Sequence, residues 1–336
     1  MNLLVHRPGL LSTVQDRGRN GWQSRGIGPG GAVDPLALRL ANILVGNAAD
    51  AAGLEFTLTG PVLRFESDAV IAVTGANLSA TIGDRPVPAW HAVLVRAGCE
   101  LTFGAPVSGC RAYLAIAGGI DVPIVLGGRG THLRARFGGL NGRALVAGDR
   151  LTVGDASSDA QRLAAHLAKS EQPWLAEHAT LARELTATAY ADAPVRLLPG
   201  RDTDRLDDAG RRAIFSTPFR VAPHSDRMGV RLEGPGLELA PAEPCLSEPV
   251  TSGTVQLPPD GQPIILLADR QTTGGYPVIG HVATVDLPKL AQRRPGESLR
   301  FAPFTLDDAQ RAMLERERAI ATVTVALHDV RARLDR

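Results

Sequence analysis

The chain has 336 residues, of which 44% are hydrophobic and 21% are charged, and its formal net charge is +1. This length suggests about two domains, and the composition is that of an ordinary globular protein. A nucleic-acid partner would need a basic face, and the sequence has no block of like charge, so none is expected. No stretch approaches the roughly 20 apolar residues that span a bilayer, and the first residues lack the apolar segment of a signal peptide. These absences predict a soluble, cytoplasmic protein that does not contact a membrane.

Short apolar runs bounded by glycine and proline predict buried β-strands along most of the chain. Examples are Val70–Val73, Tyr113–Ala117 and Ile264–Ala268. Many short strands joined by tight turns favour β-barrels or sandwiches. Because the run Ile264–Ala268 is continuously apolar, we expect that strand to be buried on both faces.

Helices are predicted at few places. The first is capped by Asp34, has Pro35 at its first position and ends at Gly46. Another should run from Leu306 to about Ile320, capped by Thr305. Between the β-rich parts, residues 157–191 have leucines at helical spacing: Leu163, Leu167, Leu175 and Leu181. We therefore predict a first β lobe at 1–156, a helical or irregular connector at 157–191, and a second β lobe with the C-terminal helix at 192–336.

The two predicted lobes share a faint sequence similarity. Residues 113–128 (YLAIAGGIDVPIVLGG) and 264–280 (IILLADRQTTGGYPVIG) each run from an apolar strand into a Gly-Gly turn, a proline and another apolar strand. A duplicated fold would explain the similarity, and so would the common reuse of such turns in β proteins. The sequence leaves both explanations open.

Several catalytic and cofactor motifs are absent from the sequence. Lys169 and Lys289 are the only lysines, and neither lies in the Gly-Lys-Ser/Thr pattern of a P-loop. There is no HExxH motif and the histidines are dispersed, so no metal site is predicted. No Met-Lys-Met type segment occurs, so we expect no covalently attached biotin. The cysteines lack CxxC spacing and are expected to be reduced thiols; they are Cys99, Cys110 and Cys245.

Two polar segments of the first lobe are candidate binding sites. In Thr13–Arg19, Arg17 could pair with a carboxylate or phosphate, although a turn in which Asp16 pairs with a nearby arginine explains the pattern as well. In Gly28–Pro35, glycines before a helix could cradle an anion. Since Asp34 would already occupy the N-terminus of that helix as its cap, a structural role is favoured for this second segment.

Two further polar segments lie in the second lobe. Ser225–Gly234 carries Asp226 and Arg227 between apolar runs, where the pair could point into a cleft, although such pairs are also common on surfaces. Asp269–Pro277 follows the apolar run ending at Ala268 and contains an acid, a guanidinium, an amide and two hydroxyls. Two glycines then allow close approach of the backbone to a ligand. This polar density after a buried strand favours a functional site.

Six longer segments carry the most specific pattern in the chain: TVQDRGRNGW, GPGGAVDPLALRLANILVGN, LEFTLTGP, VTGAN, SDRMGVRLEGP and DRQTTGGYPVIG. Together they resemble the allophanate hydrolase subunit 2 family, also called the family of the 5-oxoprolinase C subunit or the biotin-dependent carboxyltransferase family. The resemblance runs from about residue 3 to residue 304. Several long motifs in the same order are far more specific than any one of them.

The resemblance implies a mainly β fold with two cyclophilin-like β-barrel lobes and a few helices. It implies a subunit of a heteromeric, ATP-dependent 5-oxoprolinase, a hydrolase that opens the lactam C–N bond of 5-oxoproline to give glutamate. The implied partners are a subunit-1 family protein in trans and a third 5-oxoprolinase subunit, with ATP bound by the complex on this or another subunit. Two alternatives stay open: a carboxyltransferase-type subunit of the urea or allophanate pathway with its biotin carrier on another chain, and a non-catalytic regulatory binding module.

The substrates of such proteins (5-oxoproline, urea and the ureido ring of biotin) all present a planar N–C=O edge, which suggests a shared site. Asp269 or Gln271 could accept the substrate N–H. Arg270 and the backbone N–H groups of Gly274 and Gly275 could stabilise the developing oxyanion. The predicted catalytic residues are Asp269, Arg270, Gln271 and Tyr276. The predicted substrate-binding residues are Asp226, Arg227, Thr272, Gly274, Gly275 and Arg17.

Overall fold

The computed structural model describes residues 2–170, 185–240 and 246–334. The chain divides into two compact units. Unit 1 comprises Met1–Arg19, Gly30–Ala187 and Arg318–Arg336, and unit 2 comprises Asn20–Pro29 and Thr188–Glu317. The units differ from the predicted division in three respects: residues 20–29 belong to unit 2, the predicted connector belongs to unit 1 as far as Ala187, and the end of the C-terminal helix belongs to unit 1.

Unit 1 is built from two antiparallel sheets. One has six strands in the order β11-β1-β4-β9-β6-β7, and the other has five in the order β2-β3-β10-β5-β8. The strands are β1 (Asn2–Arg7), β2 (Leu11–Gln15), β3 (Gly53–Thr57), β4 (Val62–Phe65), β5 (Ala69–Asn77), β6 (Thr81–Ile82), β7 (Arg85–Pro86), β8 (Ala92–Val95), β9 (Glu100–Thr102), β10 (Ser108–Ile116) and β11 (Arg150–Thr152). Aliphatic residues from both sheets form the core of the unit, and Phe56, Phe65 and Phe103 add the bulk.

Two helices accompany the sheets of unit 1. Helix α1 (Pro35–Val45) is capped by Asp34, whose carboxylate accepts from the Ala37 N–H, and Gly46 ends it with a φ of 80°. Both boundaries are as predicted from the sequence. Helix α2 (Ser158–Lys169) begins the predicted connector and buries Leu163 and Leu167.

The rest of the connector is described only in part. Leu175 and Leu181, which extend the predicted helical spacing, lie outside the described residues. Residues 185–189 are helical.

Unit 2 contains an eight-stranded sheet in the order β20-β13-β14-β17-β16-β19-β12-β21, and the short ribbon β15-β18. The strands are β12 (Val195–Pro199), β13 (Phe219–Val221), β14 (Gly229–Glu233), β15 (Glu248–Pro249), β16 (Thr254–Gln256), β17 (Ile264–Leu266), β18 (Thr273–Gly274), β19 (Val278–Val282), β20 (Ser298–Leu299) and β21 (Phe301–Pro303). The pairing is antiparallel except for β12 with β21, which run parallel. The mainly β architecture predicted from the sequence is confirmed.

Helices α3 (Asp208–Ser216) and α4 (Leu287–Gln292) lie within unit 2, and short 3₁₀ turns occur at Gln23–Arg25, Thr203–Arg205 and Thr284–Asp286. Helix α5 (Leu306–Arg333) is longer than predicted. Its start is correct, because the Thr305 hydroxyl accepts from the Asp308 N–H at 3.2 Å. Among the described residues, none of the helices combines the length and the apolar character that a bilayer crossing requires.

Candidate functional site

The three adjacent strands β14, β17 and β16 form the floor of the candidate site in unit 2. They are antiparallel, and their register aligns side chains across all three strands. Because successive residues of a strand point to opposite faces of the sheet, two rows result. The core row is Val230–Ile265–Val255, and the row on the opposite face, called here the pocket row, is Arg231–Ile264–Gln256.

A pocket of about 480 Å³ lies over the pocket row. It is lined by His224, Asp226, Met228, Gly229, Arg231, Gln256, Ile264, Leu266, Gln271 and Tyr276. Ile264 is only half-buried because it faces this pocket, so the prediction that its strand is buried on both faces is wrong at that position. Three residues predicted for the site therefore meet in one pocket: Asp226, Gln271 and Tyr276.

Gln256 is the most deeply buried polar side chain of the pocket, with an exposed fraction of 1%. Its Oε1 accepts a hydrogen bond of 3.4 Å from Nε2 of Gln271. Its own Nε2 is buried and has no hydrogen-bond partner among the described residues. A Cβ added at Gly274 would lie 2.3 Å from this Nε2, so Gly274 allows the amide to lie against the backbone. The two glutamines thus form a connected amide pair with one unused donor.

Asp226 holds the loop that leads into β14. Its Oδ1 accepts from the N–H groups of Met228 at 2.7 Å and Gly229 at 3.2 Å, as in an Asx turn. This turn places the carboxylate at the pocket while the loop makes its own local hydrogen bonds. Asp226 therefore has a structural role in addition to its position in the pocket.

Arg227 and Asp269 form a buried ion pair. Nε and Nη2 of Arg227 donate to the two carboxylate oxygens of Asp269 at 2.8 and 3.0 Å, and the side chains are only 5% and 9% exposed. Asp269 thus pairs with Arg227 and not with the neighbouring Arg270. A bidentate pair of this kind holds the start of the Asp269–Pro277 loop against the loop before β14.

Arg270 is also buried, with an exposed fraction of 6%. Its guanidinium donates to the carbonyl oxygens of Val250 and Leu267 and to the hydroxyl of Ser252, at 2.9 to 3.3 Å. Burial lowers the pKa of Arg270 from its ordinary value. These contacts tie the loop at Val250 to the end of β17, which is the geometry of a structural residue.

The remaining residues of the segment support a loop or line a neighbouring pocket. The Thr272 carbonyl accepts from the Val250 N–H at 3.1 Å, so its backbone supports the same loop. Gly275 and Tyr276 line a neighbouring pocket of about 800 Å³. Tyr276 lines both pockets and is 47% exposed, so its ring forms part of the wall between them.

Arg17 lies in unit 1 and is exposed. The turn around it is built by Asp16, whose carboxylate accepts from the N–H groups of Gly18 at 2.8 Å and Arg129 at 2.5 Å. The buried arginine of this segment is Arg19, which donates to the carbonyl oxygen of Gly130 and lies 4.8 Å from the centre of the Phe137 ring. The turn predicted as the structural alternative is present, but the Asp16 carboxylate accepts hydrogen bonds from backbone N–H groups.

Across the described ranges, no group of three or more His, Cys, Asp or Glu side chains is arranged to hold a metal ion. Cys99 is a free thiol, and Cys245 lies outside the described residues.

Sequence reasoning missed Gln256, Arg231 and His224 as pocket residues. Gln256 ends the short run Thr254-Val255-Gln256, in which a buried amide follows an apolar residue of a strand. That alternation indicates that Gln256 points away from the core face. The partners across the sheet, however, are set by strand register, which a single segment does not reveal.

The chain belongs to the family described as carboxyltransferase domain, subdomain A and B, whose profile matches residues 25–303. It is 37% identical to the C subunit of 5-oxoprolinase from Escherichia coli strain K12 over 327 residues, which is 97% of this chain and 99% of that protein. The same name and identity apply to a protein of Haemophilus influenzae, over 91% of this chain and 92% of that one. The predicted family is confirmed.

A crystal structure of urea amidolyase from K. lactis shows the same fold. It superposes with a TM-score of 0.83 at 29% sequence identity, over 96% of this chain. The match covers only 20% of that longer protein. The likeness therefore concerns one portion of the larger enzyme.

Proposed function

We propose that this chain is a subunit of a 5-oxoprolinase complex, which uses ATP to open the lactam ring of 5-oxoproline and release glutamate. The observation that carries the proposal is the match to the C subunit of 5-oxoprolinase at 37% identity across 97% of this chain and 99% of that protein. A whole-length match supports the same kind of subunit, whereas the urea amidolyase match covers a fifth of that protein.

The pocket of unit 2 supports this reaction class chemically. In the reaction the lactam C–N bond breaks, the carbonyl carbon gains a water oxygen and the ring nitrogen becomes an amine. Gln256 and Gln271 supply amide donors and acceptors that match a planar N–C=O edge. Asp226 and Tyr276 add a carboxylate and a phenol to the same pocket.

The geometry divides the predicted site residues into two groups. We assign ligand contact to Asp226, Gln271 and Tyr276, which line the pocket. Arg227, Asp269 and Arg270 act as positioning residues, since their charged groups bind one another or the backbone in buried contacts. Such contacts can hold a site rigid to the tolerance that catalysis requires.

ATP is proposed at the level of the complex, and no residue of this chain is assigned to it. The partners proposed are a subunit-1 family protein and a third 5-oxoprolinase subunit.

The decisive experiment purifies this chain with those partners and measures glutamate release from 5-oxoproline with and without ATP. ATP-dependent release that requires this chain is expected, and a complex that forms but releases no glutamate would support the regulatory binding module instead.

A second candidate function is that of a carboxyltransferase-type subunit acting with a biotin carrier on another chain. The superposition on urea amidolyase with a TM-score of 0.83 favours it. The two functions are separated by supplying the complex with a carboxylated biotin carrier and urea. Transfer of the carboxyl group to urea, without hydrolysis of 5-oxoproline, would identify the carboxyltransferase.

A further inference from the structure

We infer that the pocket row is a two-point recognition site, in which Gln256 binds the carbonyl of a small cyclic amide and Arg231 binds a carboxylate on the same ligand. The inference rests on the proposed function and deepens it. It assigns ligand contact to Gln256 and Arg231, and it specifies the ligand as an amide ring that carries an acid.

The sheet register places the two groups on one face. Arg231 and Gln256 are both cross-strand partners of Ile264, one on each side of it. Adjacent strands lie about 4.8 Å apart, so the backbones of the two residues are roughly 10 Å apart. The side chain of Ile264 lies between them and gives the floor of the pocket an apolar centre. A small ring can lie on this apolar centre with one polar group facing each end of the row.

Gln256 has an unused donor in a buried position. A buried donor without a partner is unfavourable, and a ligand carbonyl would supply the missing acceptor. The bond from Gln271 fixes the orientation of the Gln256 amide at 3.4 Å.

Arg231 supplies the positive end of the row. Among the described residues its guanidinium has no carboxylate partner, whereas Arg220, on the adjacent strand β13, pairs with Glu233 at 2.8 Å. An arginine fork can bind a carboxylate at two points. The row therefore has a cation at one end and a neutral amide at the other.

The test measures calorimetric binding to the complex of this chain with its subunit-1 partner. Three probes are compared: 5-oxoproline, 2-pyrrolidinone, which lacks the carboxylate, and cyclopentanecarboxylate, which lacks the amide. Wild type should bind 5-oxoproline best. Gln256→Met should weaken the binding of 5-oxoproline about tenfold, which corresponds to the loss of one hydrogen bond, and should leave the affinity for cyclopentanecarboxylate unchanged. Arg231→Gln should weaken the binding of 5-oxoproline about 10- to 100-fold and leave the affinity for 2-pyrrolidinone unchanged.

Two controls separate recognition from folding. Arg220→Gln removes a comparable arginine from the neighbouring strand and should leave all three affinities unchanged. If Gln256→Met does not fold, Gln256→Glu is used in its place. Glutamate keeps the shape and an acceptor for Gln271 but removes the donor, so it should also weaken the binding of 5-oxoproline. A structural role of either residue would weaken all probes together, so a uniform loss would overturn the inference.

The same binding and hydrolysis measurements test the pocket row separately from the proposed function. A wild-type complex that neither binds nor hydrolyses 5-oxoproline would overturn the proposed function, and this inference with it. A wild-type complex that hydrolyses 5-oxoproline, with Gln256 and Arg231 variants that keep wild-type affinities and preferences, would overturn the pocket row alone.

Discussion

Arg270 is the residue for which the structure changes the expected role most. The sequence predicted an oxyanion donor, but the guanidinium is buried and bound to two carbonyl oxygens and a hydroxyl. Lysine has no planar fork and cannot reach these acceptors together. Arg270→Lys should therefore lower the free energy of unfolding by about 2 to 3 kcal/mol, measured by urea denaturation. Arg220→Lys, at an exposed site, should be nearly neutral. A stable Arg270→Lys protein whose complex loses activity about 100-fold would restore the catalytic role.

The Arg227–Asp269 pair is expected to stabilise the fold of unit 2. Removing one partner of a buried ion pair leaves a buried charge without its counter-ion, which typically costs about 3 to 5 kcal/mol. Asp269→Asn should therefore lower the melting temperature clearly. Glu233→Gln breaks the exposed pair with Arg220, whose side chains are 44% and 63% exposed, and should cost less than about 1 kcal/mol. Equal effects of the two substitutions would mean that the buried pair does not stabilise the loop.

Asp286 gives a prediction for pH dependence. Burial raises the pKa of this carboxyl, but hydrogen bonds from Arg196 and the charge of Lys289 outweigh it, so the pKa lies below the ordinary value of 3.8. A group whose pKa is depressed on folding contributes stability above its unfolded pKa and loses it as the pH falls. The difference in unfolding free energy between wild type and Asp286→Asn should be full above about pH 5 and shrink below 3.8. A difference that stays constant down to about pH 2 would contradict this coupling.

The site residues show what a single sequence can and cannot reveal. The sequence singled out the segment Asp269–Pro277 as polar residues after a strand, and two of its side chains, Gln271 and Tyr276, line a pocket. Which side chains face the pocket depends on distant partners. Asp269 turns to Arg227, and Gln256 belongs to the pocket through a cross-strand register that no local pattern encodes.

The helix boundaries were predictable only where residues close in sequence determine them. The start and end of α1 were predictable because the Asp34 cap and the Gly46 terminator act on the nearest turns of the chain. The end of α5 was not, since the helix continues past Ile320 as far as Arg333 without a local stop signal. Its last turns bury Val323, Leu327 and Arg331, so tertiary contacts maintain this part of the helix.

Within unit 1, Arg331 of α5 contacts the end of α1. Its Nη2 donates to the carbonyl oxygens of Ile43 at 2.5 Å and Leu44 at 2.8 Å, in the last turn of α1. A cation at this position binds carbonyl groups of the last helical turn and interacts favourably with the helix dipole. Arg331→Met should lower the free energy of unfolding by about 2 kcal/mol in thermal or urea denaturation.

The matched control for Arg331 is two residues further along the same helix. Arg333 is exposed, so Arg333→Met should change the free energy of unfolding by less than about 0.5 kcal/mol. If Arg331→Met is as mild as its control, the carbonyl groups at the end of α1 do not depend on the buried arginine.

For the whole molecule, the β class and the presence of two units were predictable, because short apolar runs and frequent glycines recur along both parts of the chain. The assignment of residues 20–29 to unit 2 was not. It follows from contacts with distant residues: Nε2 of Gln23 donates to the Val250 carbonyl at 3.4 Å, and a Cβ at Gly28 would lie 2.9 Å from the Arg270 carbonyl oxygen. A sequence pattern read in order along the chain cannot assign such a segment to a remote unit.

The chain is expected to assemble with a partner. The relatives matched along nearly their whole length are each named as a subunit, so we expect this chain to form a stable complex with a subunit-1 family protein. Co-expressed, the two should elute together in size-exclusion chromatography at micromolar concentration, since an obligate pair binds with about −8 kcal/mol or better. Gln256→Met should elute with the partner as wild type does, because it alters a pocket and not the fold. Separate elution of the wild-type chains at that concentration would contradict the heteromer, and 5-oxoproline hydrolysis by this chain alone would show that the partner is not required.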